Sequence, residues 1–211
     1  MTEFLQSKWD KTAARLLLAK TASQKLFAEI VKRHSEAHRQ YHGLGHLEAL
    51  FGVLAPVWDD VSEPARVELA IWYHDIVYKP LRNDNEDKSA RLAVRRLSGC
   101  GADSGLVTRV ARLIQATAHH AGGGADHDDA LFLDADFSIL GAPAAVYDDY
   151  AEAIRKEYRL VPRPMYNSGR GKFLEDALNR PRLFHTDHFE ARYGAQARKN
   201  MARELASIGM R

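Results

Sequence analysis

Leu69-Ala70-Ile71-Trp72-Tyr73-His74-Asp75 is an apolar run closed by an imidazole and a carboxylate. Val67, Ala70, Ile71 and His74 recur at helical spacing. Ser62 followed by Pro64 places the start of that helix upstream, with proline in the first turn, where its missing N–H costs little. A helix this apolar is buried, and an unpaired charge buried with it loses much of its solvation. A divalent cation relieves both terminal groups at once, because the carboxylate supplies charge and the neutral imidazole a lone pair. The pair stands between two further stretches, Tyr41-His42-Gly43-Leu44-Gly45-His46 and Ala135-Asp136-Phe137-Ser138, so the chain carries the order H…HD…D.

Helical periodicity extends in both directions. Leu26, Phe27, Ile30 and Val31 follow an N-capping Thr21 or Ser23, and Leu44, Leu47, Leu50, Phe51 and Leu54 form a second stripe stopped by Pro56. Two more stripes run through Ser89, Leu92, Ala93 and Leu97 and through Leu106, Val110, Leu113 and Ile114. Residues 129–140 read as a helix halted by Gly141 and Pro143. Val146, Tyr147, Tyr150, Ile154 and Tyr158 form a longer one, broken by Pro162 and Pro164. Near the end Phe189, Tyr193, Ala197, Met201 and Leu205 recur every four residues. Lys79 to Asn85 and Gly122-Gly123-Gly124 read as loops. No alternating strand pattern or repeat is visible. The expectation is an all-α fold, a helical bundle with additional C-terminal helices. It forms one domain over residues 1–211, with a core over about 20–142 and a helical extension over about 143–211.

Composition narrows the function classes. Hydrophobic residues at 45% and charged residues at 27% fit a globular chain rather than a disordered one. A formal charge of +2 leaves no electrostatic footprint for nucleic acid. Cys100 is the single cysteine, so no internal disulfide forms, and a reducing compartment fits. The N-terminal Met1-Thr2-Glu3-Phe4 lacks a signal pattern, and no segment approaches the roughly 18–20 apolar residues of a membrane span. A cytoplasmic location without a membrane partner is expected, and a homodimer is compatible with the chain.

On a helix His42 and His46 share one face, although Gly43 and Gly45 favour an irregular turn there. Spacing alone leaves His42 or His46, and Asp134 or Asp136, as alternatives for the ligand positions. Two His and two Asp from three helices suit an octahedral ion that keeps open positions for water, unlike a closed Cys/His zinc site.

The stretches Tyr41-His42 to His46, Tyr73-His74-Asp75 and Ala135-Asp136-Phe137-Ser138 resemble those of the HD-domain superfamily of metal-dependent phosphohydrolases. Asp84-Asn85-Glu86, Ala118-His119-His120, Leu133-Asp134-Ala135-Asp136, Ile154-Arg155-Lys156-Glu157-Tyr158 and Tyr166 with Gly169-Arg170 extend the likeness to a bacterial group of predicted HD phosphohydrolases. The resemblance implies a divalent metal (Mn, Mg, Fe, Co, Ni or Zn) held by His46, His74, Asp75 and Asp136. The first and last motifs are also similar to those of cyclic-nucleotide phosphodiesterases, which implies His42 as proton donor to the leaving oxygen. Gly43, where those enzymes carry Asn, and Ile76-Val77-Tyr78, where they carry a further His, depart from their pattern.

The activity so implied is hydrolysis of a nucleotide or another small phosphoester by a metal-activated water. Asp75 or Glu86 acts as base, and Arg155 or Arg170, with His119 or His120, steadies the phosphoryl oxygens. A domain that binds a nucleotide as a sensor without turnover is the alternative. Oxygenase chemistry at a di-iron site, with His119 and His120 as added ligands, is a third. Asp134 is expected to order a ligand His from behind. His34, His38, His127, His185 and His188 read as surface residues, and Cys100 carries no sign of a nucleophile.

Overall fold

The computed structural model describes residues 2–118 and 126–209. They form helices α1 (Thr2–Arg15), α2 (Lys20–His34), α3 (Leu44–Leu54), α4 (Pro64–Tyr73), α5 (Asn85–Gly99), α6 (Ser104–Ala116), α7 (His127–Phe137), α8 (Ala144–Glu157), α9 (Arg163–Leu178), the single turn α10 (Asp187–Phe189) and α11 (Ala195–Gly209). Short 3₁₀ turns follow α3 (Ala55–Asp60) and α7 (Ser138–Gly141). No strand occurs among the described residues, so the fold is all-α as the periodicity requires. No single helix among them is long and apolar enough to cross a membrane. The chain divides into two units, Met1–Leu133 and Asp134–Arg211, and the division falls inside α7.

In the first unit α4 is the central element. Pro64 opens it, every residue from Arg66 to Tyr73 is buried, and it packs on α1, α3, α5 and α6. A helix apolar on all sides belongs at the middle of a core. Trp72 anchors it, its ring meeting Trp9 edge-on at 5.6 Å, Phe51 at 5.1 Å and Phe27 at 6.1 Å. Both indoles stay satisfied in this apolar setting: Trp72 Nε1 donates to Thr12 Oγ1 at 3.1 Å and Trp9 Nε1 to Ser23 Oγ at 2.9 Å. The start of α7 is tied to the start of α4. Asp128 accepts from the backbone N–H groups of Ser62 and Glu63 at 2.9 and 2.7 Å, and Arg66 donates to both carboxylate oxygens of Asp126 at 2.8 and 2.7 Å. Of these bonds, the one from Glu63 satisfies a backbone donor that the start of α4 leaves orphaned.

In the second unit α11 packs on α9 and on the Ser138–Gly141 turn, which also meets α8. The apolar repeat of four at the C-terminus does not sit on one uninterrupted α-helix. A spacing of four drifts by about 40° per step on a 3.6-residue helix. Between α10 and α11, residues Glu190–Gly194 form a wider π turn, which takes up part of that drift. Phe189, Ala197 and Met201 are all fully buried. Asn200 donates to the carbonyls of Leu140 and Ala142 at 2.9 and 2.8 Å and so satisfies the break at Gly141.

Gly141 is required by proximity: a Cβ there would lie 2.5 Å from Tyr193 Cβ and 2.6 Å from the Tyr193 carbonyl oxygen. Gly141→Ala is expected to cost about 1–3 kcal/mol through overpacking. Urea unfolding of both proteins checks this, and an unchanged midpoint would show that the close approach is relieved at no cost.

Candidate metal centre

His74 caps the C-terminus of α4, its N–H bonded to Ala70 O at 2.9 Å. Its ring Nδ1 lies 3.1 Å from the Ile71 carbonyl. A carbonyl oxygen only accepts, so Nδ1 carries the proton and Nε2 of the neutral ring presents a lone pair. That Nε2 lies 3.1 Å from Asp75 Oδ2 and 3.1 Å from His46 Nε2. The His74 lone pair therefore meets His46 Nε2 at hydrogen-bond distance, an arrangement made favourable by a proton on His46 or by a cation between the two nitrogens. His46 is 4% and His74 1% exposed, so water does not screen this contact.

His46 reaches this point from the first turn of α3. Gly43 precedes that helix in an extended conformation, with φ −105° and ψ −164°. His42 therefore stands in the bend before α3, and the two histidines do not share a helix face. The His42 ring packs on Tyr78 at 4.2 Å and on Tyr41 at 5.0 Å, and its Nε2 stands 3.9 Å from Asp75 Oδ2. Burial alone would raise the Asp75 carboxyl, but without a cation the His74, His42 and His46 rings, when protonated, hold it well below its ordinary range.

Asp136 comes from α7. The Phe132 ring lies 5.6 Å from the His74 ring. Phe132 and Asp136 are one turn apart on the same helix face, with the helix unbroken between them. One ligand atom each from His46, His74 and Asp136 lies within 4.8 Å of the other two. Atoms about 2.1 Å from a shared ion stand about 3.0 Å apart at right angles and about 4.2 Å apart when opposite. The donor set and its spacing thus fit a divalent cation, with Asp75 against His74 from the side.

Asp134, two residues earlier, is committed elsewhere. Its carboxylate accepts from the N–H of His185 and of Thr186 at 2.7 and 2.8 Å and from Thr186 Oγ1 at 2.7 Å. It fixes the turn before α10 instead of ordering a ligand histidine, and burial raises its carboxyl despite these donors.

The remaining sequence candidates lie on other elements. Glu86 sits partly buried in the first turn of α5, with no hydrogen bond or ion pair among the described residues. Its neighbour Asn85 holds the preceding loop, exchanging hydrogen bonds with the Lys79 N–H and carbonyl at 3.1 and 3.0 Å. In the second unit Arg170 is buried against Glu204, with contacts at 2.9 and 3.0 Å, and Glu204 also accepts from Tyr147. Arg155 donates to the carbonyls of Tyr158 and Val161 at 2.5 and 3.1 Å and lies over the Tyr166 ring. Both arginines thus have structural partners of their own. His119 and His120 lie outside the described residues.

Arg39, Tyr78 and His34 border the site, and no motif in the sequence singles them out. His34 is not a surface residue: it is 2% exposed, its Nδ1 donates to Ile30 O at 3.0 Å, and its Nε2 is buried without a hydrogen-bond partner among the described residues. Its place on the inward stripe of α2, four residues after Ile30, was the available signal. Neither a family model, nor a curated protein, nor a solved structure matches this chain.

Burial, and then the charge of Arg39, lowers His34 to about 3. An unfolded chain takes up this proton near pH 6.5 while the folded one refuses it, so stability is lost as pH falls from about 6.5 towards 3. Between about pH 7 and pH 5 this amounts to about 2 kcal/mol. Urea unfolding at both values should show His34→Leu losing less stability than the parent; parallel losses would contradict the buried neutral ring.

Proposed function

We propose that this chain is a metal-dependent phosphohydrolase of the HD type, acting on a nucleotide or another small phosphoester. The observation that carries the reading is at His74. Its Nδ1 is committed to the Ile71 carbonyl, and its Nε2 faces both Asp75 Oδ2 and His46 Nε2 at 3.1 Å. His46, His74 and Asp136 hold the cation, with Asp75 as a fourth ligand. A divalent ion there polarises a phosphoryl oxygen and lowers the pKa of water.

The protein's own groups do the rest. Asp75, within 3.1 Å of the His74 ring and 3.9 Å of the His42 ring, accepts a proton from the attacking water. His42, 19% exposed at the side chain and 3.9 Å from that carboxylate, holds a proton at Nε2 for the departing oxygen. Tyr78 packs on the His42 ring and keeps it from rotating away. Burial falls off from His74 and His46 to Asp75 and His42, which leaves the reacting side open to solvent and substrate.

Elemental analysis of the purified protein, then phosphate release from a panel of nucleotides and phosphoesters with the metal found, tests the reading. Asp75→Ala is expected to lose both metal and turnover. His42→Ala should keep the metal and lose turnover by about 10²–10⁴-fold. Full metal-dependent activity in Asp75→Ala would overturn the assignment. Stabilisation by nucleotides without phosphate release would identify a sensor instead.

A further inference from the structure

The site is assembled from two backbone segments far apart in sequence: the bend before α3, which carries His42, and the turn after α4, which carries Asp75 and Ile76. One side chain bridges them. Arg39 Nη1 donates to His42 O at 2.9 Å and to Asp75 O at 2.7 Å, and Nη2 donates to Ile76 O at 3.1 Å. Its Nε faces Glu36 Oε2 at 3.3 Å, and its guanidinium lies 5.5 Å from the Tyr78 ring, which in turn packs on His42. The Arg39 side chain is fully buried.

A guanidinium in that position is a costly way to fill space. Burying a charge is unfavourable unless its donors are matched, and an aliphatic side chain fills the same volume without the penalty. What the guanidinium alone provides is a rigid planar fork of N–H donors. Here the fork is spread over carbonyls of both segments, two of them just past the end of α4, where helical carbonyls lack partners and the dipole favours a cation. Lysine brings a single ammonium on a flexible stem and does not reproduce three directed bonds across two segments.

We propose that Arg39 is a positioning residue: it locks the backbone of His42 to that of Asp75 and Ile76, and so sets the distance between the His42 imidazole and the Asp75 carboxylate and the aim of Asp75 at the cation. The proposal rests on the metal reading above. It needs no contact between Arg39 and substrate or metal.

The test uses Co²⁺ as the probe, with affinity from calorimetric titration and coordination from the visible absorption band, on the whole chain with folding checked by circular dichroism. Arg39→Lys is expected to bind Co²⁺ about 10–100-fold more weakly, as loss of a group that orients metal ligands generally does, and to shift the absorption band. Arg66→Lys, at a buried arginine paired with Asp126 away from the site, is expected to lose stability and keep the parent's Co²⁺ affinity and band. Parent-like binding by Arg39→Lys overturns the proposal, and so does an equal loss in Arg66→Lys, which would reduce Arg39 to a general contributor to stability. Absence of Co²⁺ binding by the parent overturns the metal reading, and the positioning role falls with it. If Arg39→Lys does not fold, hydrogen exchange of the parent with and without Co²⁺ decides. Slowing in residues 39–43 and 74–77 together supports the lock; slowing in only one of them overturns it.

Discussion

The Ile71 carbonyl decides what His74 can do. Because that oxygen only accepts, it holds the proton on Nδ1 as a hydrogen-bond donor and leaves the Nε2 lone pair facing Asp75 and His46. The constraint is effective because α4 is buried on every side and cannot roll away from it. Trp72, two residues before His74, is wedged among Trp9, Phe27 and Phe51, so the last turn of the helix is fixed in rotation as well as in depth. Packing in the core is thereby converted into the orientation of one ring nitrogen.

The other groups reach that nitrogen by separate devices. His46 arrives on the first turn of α3, just past the extended residue Gly43. Asp136 arrives on α7, whose Phe132 touches His74 one turn earlier. Asp75 and His42 are less buried than His46 and His74, and Arg39 ties their backbones together. The costs of these arrangements are local. Asp75 is a carboxylate only 13% exposed beside a neutral imidazole, and His34 is a buried imidazole kept neutral by burial and by Arg39. Both are features that a fold selected for stability alone would replace with apolar side chains.

Much of the helical order was legible because amphipathic periodicity is a local property. Pro64 at the start of α4, the loop before Asn85 and the stop at Gly141 and Pro143 all follow from residue chemistry that acts within a few positions. What failed had non-local causes. His34 carries a polar ring on an inward stripe, and only the packing of other elements against α2 shows that it is enclosed. Asp134 and Asp136 are equivalent by type, and their roles separate only because the amides of His185 and Thr186 return to meet Asp134. Arg155 and Arg170 hold partners that no local pattern announces, the carbonyls of Tyr158 and Val161 for one and Glu204 for the other. The steady spacing of four near the C-terminus concealed a π turn, because sequence spacing does not report the pitch of the backbone.

The sequence by itself determined an all-helical chain and the residue types that gather at the end of α4, since side-chain periodicity and the cost of burying an imidazole beside a carboxylate are properties of short stretches. Only the tertiary structure decided which His and which Asp face His74, that His42 stands outside the helix that carries His46, and that Arg39 joins two distant segments. Those outcomes depend on hydrogen-bond partners brought from tens of residues away, and no local pattern encodes the direction from which a partner arrives.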